Sequence, residues 1–273
     1  TVNNDKYMDN PLSHRPRKRF GQNFLHDPGV IGKIITTIQP RPDDNLVEIG
    51  PGQGAITLPL LAAAGELTVI ELDRDLIEPL KTLCAAAGRL VVHNVDALGF
   101  DFCRLADKKP LRIIGNLPYN ISTPILFHLL DQHDCIRDMH FMLQKEVVER
   151  MAAGPGSKQY GRLSVMLQYR CRVTGLFTIG PGAFTPPPRV ESAFVRLEPY
   201  DRLPVTVDSE AVFTDLVRQA FSQRRKTLRN ALRDTLDADE IVSLGIDPSV
   251  RAEMLALKDF AALANMAFAR QAG

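Results

Sequence analysis

Between residues 46 and 144, short apolar runs alternate with segments of helical period, and this alternation limits the available folds more than any other feature. The apolar runs are 46–49, 67–71, 90–92, 111–114 and 140–144. Segments 55–64, 75–87 and 124–130 carry helical spacing, as does 30–38 ahead of them. Short, largely apolar strands alternating with helices need cover on both faces, so the pattern predicts a parallel sheet wrapped by helices. Segments 171–179 and 192–197 read as two further strands, suited to an antiparallel pair closing the sheet edge. After residue 199 the character changes, and 210–221, 225–233, 239–243 and 258–270 all read as helices. The expected fold class is therefore α/β, a helix-wrapped parallel sheet followed by a small all-α domain. The polar, proline-bearing stretch 199–208 sets the expected boundary near residue 203, with 1–14 as a flexible tail and 204–273 as the helical domain. A chain of 273 residues, 45% apolar and 24% charged, is long enough to bury both cores.

Net charge is only +1, so a nucleic-acid binder of this composition must cluster its cations. It does so twice: at Arg15, Arg17, Lys18 and Arg19, and at Arg224, Arg225, Lys226, Arg229 and Arg233. An isolated charge run is usually a solvated helix face. Two clusters in a near-neutral chain favour phosphate contact instead, and Phe20 adds a stacking surface beside the first. Cys84, Cys103, Cys135 and Cys171 form no C-x-x-C pair and read as small buried hydrophobes or free thiols in a reducing compartment. No histidine spacing suggests a metal site. No signal core opens the chain and no run approaches the ~18 apolar residues of a membrane span, so a cytoplasmic protein is expected, with no membrane partner.

Two motifs carry chemistry. Glu48-Ile49-Gly50-Pro51-Gly52-Gln53-Gly54 joins the first strand to its helix. Its glycines let the backbone turn tightly and approach a ligand, and Glu71 follows at the end of the next strand, placed to accept from ribose hydroxyls. Asp96 follows the third strand and can read an adenine amino group. An acidic residue about 20 positions after a glycine turn also fits a dinucleotide enzyme. The G-x-G-x-G spacing and the acidic Glu48 favour a cationic sulfonium ligand over a pyrophosphate. A tight turn that binds nothing is the bland alternative.

The second motif is Asn116-Leu117-Pro118-Tyr119, after the fourth strand and hence at the same sheet edge. The exocyclic amine of adenine is a poor nucleophile, because its lone pair is delocalised into the ring. Two acceptors aimed at its two N–H bonds stabilise the charge that develops as nitrogen attacks. The side-chain oxygen of Asn116 and the carbonyl of Leu117 are the candidates. Pro118 stiffens the turn and Tyr119 offers a face for the base. The same four residues also make an acceptable plain turn. A donor site on the same sheet edge tips the reading toward methyl transfer to an adenine amine, with no metal needed.

Together with these motifs, the segments RKRFGQNFL (17–25), VEIGPGQG (47–54), VIELD (69–73), GNLPYNISTP (115–124), LQKEVVERM (143–151), AFTPPPRVESAFVRL (183–197), FSQRRKTLRNAL (221–232) and GIDPSVRAE (245–253) span almost the whole chain. In these stretches the chain resembles the KsgA/RsmA family of ribosomal RNA adenine dimethyltransferases. The resemblance implies a class I methyltransferase domain with a small helical C-terminal domain. It implies S-adenosylmethionine as donor, held by Asn23, Leu25, Gly50, Gly52, Glu71, Asp96 and Asn116. It implies two methyls on each of two adjacent adenosines, in the 3′-terminal hairpin of 16S rRNA within the 30S subunit, by a monomer serving ribosome biogenesis. Phe184 is a second aromatic candidate for the flipped base, or equally a core residue before a rigid proline turn. Arg17, Lys18, Arg19, Arg224, Arg225, Lys226 and Arg229 are the expected RNA contacts. The competing readings are an Erm-like large-subunit methyltransferase, a non-catalytic assembly factor, and an NAD oxidoreductase. The RRK-containing segment 221–230 opposes the first, the intact motifs oppose the second, and the lack of a hydride-transfer constellation opposes the third.

Overall fold

The computed structural model describes residues 22–107, 109–223 and 225–272. Its contacts divide into two compact units, Thr1–Leu143 with Thr178–Phe194, and Gln144–Phe177 with Val195–Gly273. The first unit contains β1 (Phe24–Leu25), α1 (Pro28–Ile38), β2 (Asn45–Ile49), α2 (Thr57–Ala64), β3 (Glu66–Ile70), α3 (Ile77–Cys84), β4 (Arg89–His93), β5 (Leu111–Asn116), α4 (Ser122–Leu130) and nearly all of β6 (Ile136–Gln144). The remaining strands are β7 (Cys171–Ile179), β8 (Phe184–Thr185) and β9 (Ser192–Pro199), and the division between units cuts through β7 and β9.

Among the described residues seven strands form one sheet in the order β4-β3-β2-β5-β6-β9-β7. Strands β2 to β6 are parallel, as the alternation of short apolar runs with helices predicts. The pair read as closing the edge, β9 and β7, are neighbours at that end. The chain runs outward from β2 to β4, then returns to place β5 on the other side of β2. The crevice beyond the carboxyl ends of β2 and β5 is thus the topological switch point, where open α/β sheets bind ligands.

Local sequence fixes these elements in register. Asp27 caps α1 by accepting from the Val30 amide at 2.9 Å, and Pro28 supplies the first helical residue. Gly65 ends α2 at φ +80°, a left-handed conformation that favours glycine. Strand β5 is buried from Leu111 to Gly115, as a central strand must be. Its pairing with β2 brings Ile49 opposite Gly115. A Cβ on Gly115 would lie 2.9 Å from the Ile49 carbonyl oxygen, so glycine is what lets the two strand ends close on each other.

The opposite end of the sheet is fastened by a buried ionic cluster. Arg112 on β5 is 2.6 Å from Asp44 and 3.0 Å from Asp138, and it donates to the carbonyls of Ile38 and Gln39 at the end of α1. Burial alone would raise the Asp138 carboxyl. The His140 ring, 3.3 Å away, and the Arg112 charge outweigh it and hold the group below its ordinary range.

The second unit holds α5 (Lys145–Ala152), α6 (Arg162–Arg170), α7 (Glu210–Ala220), α8 (Leu228–Ala231), α9 (Ala238–Ser243) and α10 (Leu257–Ala272). Aromatic pairs build its core: Tyr169 with Phe213 at 4.7 Å and Phe221 with Phe260 at 5.6 Å between ring centroids. The boundary expected near residue 203 lies within this unit, because α6 packs with α7 and α10.

Three expectations are corrected. Helices α5 and α6 were not read from the sequence. Leu163 to Leu167 and Tyr169 of α6 are all buried, which erases the polar face that a helical period needs. The helix expected over 225–233 shrinks to α8, because the Leu228 and Arg229 amides donate to the Val250 and Pro248 carbonyls instead of continuing a helical ladder. Finally, Cys103 and Cys135 are joined by a disulfide, their Cα atoms 5.4 Å apart, while Cys84 and Cys171 are free and buried. Gln132 draws the two turns together by accepting from the Phe102 amide at 2.6 Å. The cysteines therefore carry no argument for a reducing compartment. Among the described residues no helix is long and apolar enough to cross a membrane.

Candidate active site

A cavity of about 280 Å³ opens at the switch point. Five chain segments wall it: 22–25 around β1, the end of β2 with its glycine turn, residues 70–73 at the end of β3, 96–97 after β4, and 116–121 at the end of β5. Asn23, Leu25, Gly50, Gly52, Glu71, Asp96, Asn116, Leu117, Pro118 and Tyr119 all line it. Two motifs that lie far apart in sequence are thereby brought together by the β2–β5 pairing.

On the donor side, Gly50, Gly52 and Gly54 all have positive φ, between +56° and +84°, so the turn after β2 requires glycine. Glu71 is buried, and its two carboxylate oxygens accept from the Asp73 amide at 2.7 Å and the Gly52 amide at 3.4 Å. Burial raises its carboxyl, and those amide bonds oppose the shift. Asp96 caps the following turn by accepting from the Leu98 amide at 2.9 Å. Glu48 is only 2% exposed, and burial pushes its carboxyl up to about 8, with Thr57 opposing and Glu71 adding to the rise. At neutral pH Glu48 is thus mostly protonated, and is not the standing negative charge that the sequence suggested.

On the acceptor side, the Asn116 side-chain nitrogen donates to the Asn23 carbonyl at 2.9 Å. That bond spends the donor half of the amide and leaves the oxygen as the half available to a substrate amine. The Leu117 amide donates to the Met142 carbonyl at 3.3 Å, extending the β5–β6 ladder by one residue. Among the described residues the Leu117 carbonyl receives no hydrogen bond. The turn is closed by Ile121 donating to the Pro118 carbonyl and the Ser122 hydroxyl donating to the Tyr119 carbonyl, both at 3.1 Å. Strand β1 pairs antiparallel with β8, Leu25 opposite Phe184, and so fixes the segment carrying the Asn23 carbonyl.

Phe184 is 2% exposed and does not line the cavity; its backbone braces Leu25. Arg225 and Arg229 are exposed, Lys226 is half-buried, and none of the three pairs with a carboxylate among the described residues. Arg17, Lys18, Arg19 and Arg224 lie outside the described residues. Sequence reading missed Gln22 and Asp73, whose side chains meet at 3.4 Å on the cavity wall, and Ala97 and Ile121, which line it. No spacing signal singles these residues out. Among the described residues no group of His, Cys, Asp and Glu is arranged to hold a metal ion.

The model of the ribosomal RNA adenine dimethylase family matches residues 13–268. The chain belongs to this family. It is therefore an S-adenosylmethionine-dependent enzyme that dimethylates adenine in ribosomal RNA. Curated relatives of the dimethylase named ribosomal RNA small subunit methyltransferase A include one from Pseudomonas syringae pv. syringae, 58% identical over 94% of this chain and 97% of the relative. Another, from Xanthomonas campestris pv. campestris, is 55% identical over 96% of this chain and 100% of the relative. A crystal structure of a dimethyladenosine transferase from Plasmodium falciparum matches with a TM-score of 0.76 and 28% identity, over 88% of this chain and 95% of that one. That of the 23S rRNA methyltransferase ErmE matches with a TM-score of 0.72 at 22% identity, over 89% and 99%, a likeness of fold alone. The dimethylase thus has the Rossmann-like class I methyltransferase fold with a helical C-terminal region.

In the free protein Glu48 keeps a proton that the unfolded chain has lost, so stability should decline as pH rises from the ordinary carboxylate range toward 8. Glu48→Gln should flatten that decline in denaturant titrations run across pH 5 to 8, and an unchanged slope would remove Glu48 as its source. Asn116→Ala should lower kcat by about 10²–10³-fold with little change in donor affinity. Glu71→Ala should instead weaken donor binding, measured by calorimetry, by about ten- to a hundredfold. An exchange of these two phenotypes would reverse the assignment of the walls.

Proposed function

We propose that the dimethylase transfers methyl groups from S-adenosylmethionine to N6 of two adjacent adenosines in the 3′-terminal hairpin of 16S rRNA. In this reading it acts within the small (30S) ribosomal subunit, as a cytoplasmic monomer that contributes to subunit biogenesis. The observation that carries the proposal is one cavity at the switch point with Glu71 and Asp96 on one wall and Asn116-Leu117-Pro118-Tyr119 on the other. The names of the curated relatives support the small subunit as the target.

The residues divide the work. Glu71 accepts from the donor's ribose hydroxyls and Asp96 from its adenine amino group. Asn23, Leu25, Gly50 and Gly52 close around the donor, which supplies the transferable methyl on a sulfonium. The target base leaves its stack and enters the cavity, since its amine cannot be reached inside a helix. Tyr119 supports the ring, with Pro118 holding the turn. The Asn116 side-chain oxygen and the Leu117 carbonyl accept hydrogen bonds from the amine and turn the nitrogen lone pair toward the methyl. As the N–C bond forms the sulfonium S–C bond breaks to leave a neutral thioether, and the nitrogen gives up one proton to solvent for each methyl it gains. In-line transfer then depends chiefly on positioning.

Residues 204–273 are the RNA-selecting part in this proposal, and 1–203 the methyl-transfer part. Arg225, Lys226 and Arg229, with Arg17, Lys18, Arg19 and Arg224, neutralise phosphates. Phe184 serves by bracing β1 against β8 rather than by touching the base.

Incubating the protein with labelled donor and undermethylated small subunits tests the proposal. Label is expected in N6,N6-dimethyladenosine at the 3′-terminal hairpin. Subunit affinity should fall with salt by roughly 0.7–0.9 log units per decade for each phosphate neutralised. Label confined to large-subunit RNA, or a flat salt response, would contradict the target or the RNA contacts respectively.

A further inference from the structure

The Tyr119 ring is held at its far end as well as through its backbone. Its hydroxyl lies 2.7 Å from the Ser192 hydroxyl, one donating to the other across 73 positions of sequence. Ser192 is the first residue of β9, is only 1% exposed, and does not line the cavity. It therefore has no access to substrate or donor. Tyr119 does line the cavity and is half-buried. Burial raises its phenol, and the bond to Ser192 opposes that rise. The Tyr119 carbonyl is tied separately by Ser122. A tyrosine fixed at its carbonyl and again at its phenol oxygen has lost most of the freedom of its two side-chain torsions.

We propose that Ser192 is a positioning residue for methyl transfer. By holding the Tyr119 hydroxyl it sets the tilt of the ring, and the ring sets the plane of the target adenine relative to the Asn116 oxygen and the Leu117 carbonyl. The inference rests on the reading of Tyr119 as the platform for the base. Its physical basis is that the two acceptors are themselves fixed, Asn116 by the Asn23 carbonyl and Leu117 by the Met142 carbonyl. With both acceptors immobile, the base plane is the remaining variable, and a small tilt moves N6 away from both at once. The serine is remote from the motif in sequence and opens a strand whose first four residues are all buried, so its burial by itself singles out no role. Only the folded sheet reveals its partner.

The test is a double-mutant cycle on the full chain with undermethylated small subunits at saturating donor. Ser192→Ala and Tyr119→Phe should each lower kcat by about tenfold, as expected of a misplacement well under an ångström. The double variant should be no slower than the slower single variant, because each removes the same bond. Donor affinity measured by calorimetry should match the parent in all three. A Ser192→Ala enzyme with kcat within about twofold of the parent would overturn the proposal. So would a Ser192→Ala loss that recurs in full in the Tyr119→Phe background, since a general packing defect behaves that way. Tyr119→Ala separates the two levels. If it keeps full kcat, the platform reading fails and this inference with it. If it loses kcat while Ser192→Ala does not, only the role of Ser192 falls.

Discussion

The pairing of β2 with β5, Ile49 opposite Gly115, is the constraint on which the active site depends. It is possible at this closeness because Gly115 has no side chain where the Ile49 carbonyl approaches. From it follows the adjacency of the glycine turn and Asn116, two segments that no local rule would bring together. A second pairing completes the arrangement. Strand β1 against β8 fixes the Asn23 carbonyl, which turns the Asn116 amide so that its oxygen is the free half. Orientation of the acceptor is thus a property of the tertiary fold, not of the tetrapeptide.

The cavity manages charge by burial and backbone donors. Glu71 keeps its place by accepting two amide hydrogens, while Glu48, deeper and less well supplied, holds its proton at neutral pH. Arg225 and Arg229, in the helical unit, are exposed and pair with no carboxylate among the described residues.

Much of the arrangement was legible in the sequence because it is local. The β2 to β6 strands announced themselves as short, largely apolar runs alternating with helices, and a parallel sheet puts every strand-to-helix turn on one edge, so the sequence already groups Glu71, Asp96 and Asn116. What escaped was tertiary. Helix α6 is buried on nearly all sides and shows no period. The shortened α8 reflects carbonyls supplied from residues 248 and 250. The Cys103–Cys135 link depends on two turns meeting at Gln132, and Ser192 on a partner 73 positions away. Glu48 was correctly located but wrongly charged, because burial depth cannot be read from a motif.

The most direct measurement is a crystal structure of the protein with S-adenosylhomocysteine and an RNA hairpin carrying the target adenosines. The ribose hydroxyls should lie within hydrogen-bond distance of the Glu71 carboxylate. N6 of one adenosine should lie within the same reach of both the Asn116 side-chain oxygen and the Leu117 carbonyl, its ring against Tyr119. An adenosine whose N6 meets neither acceptor while its ring occupies the cavity would contradict the division of the site between its two walls.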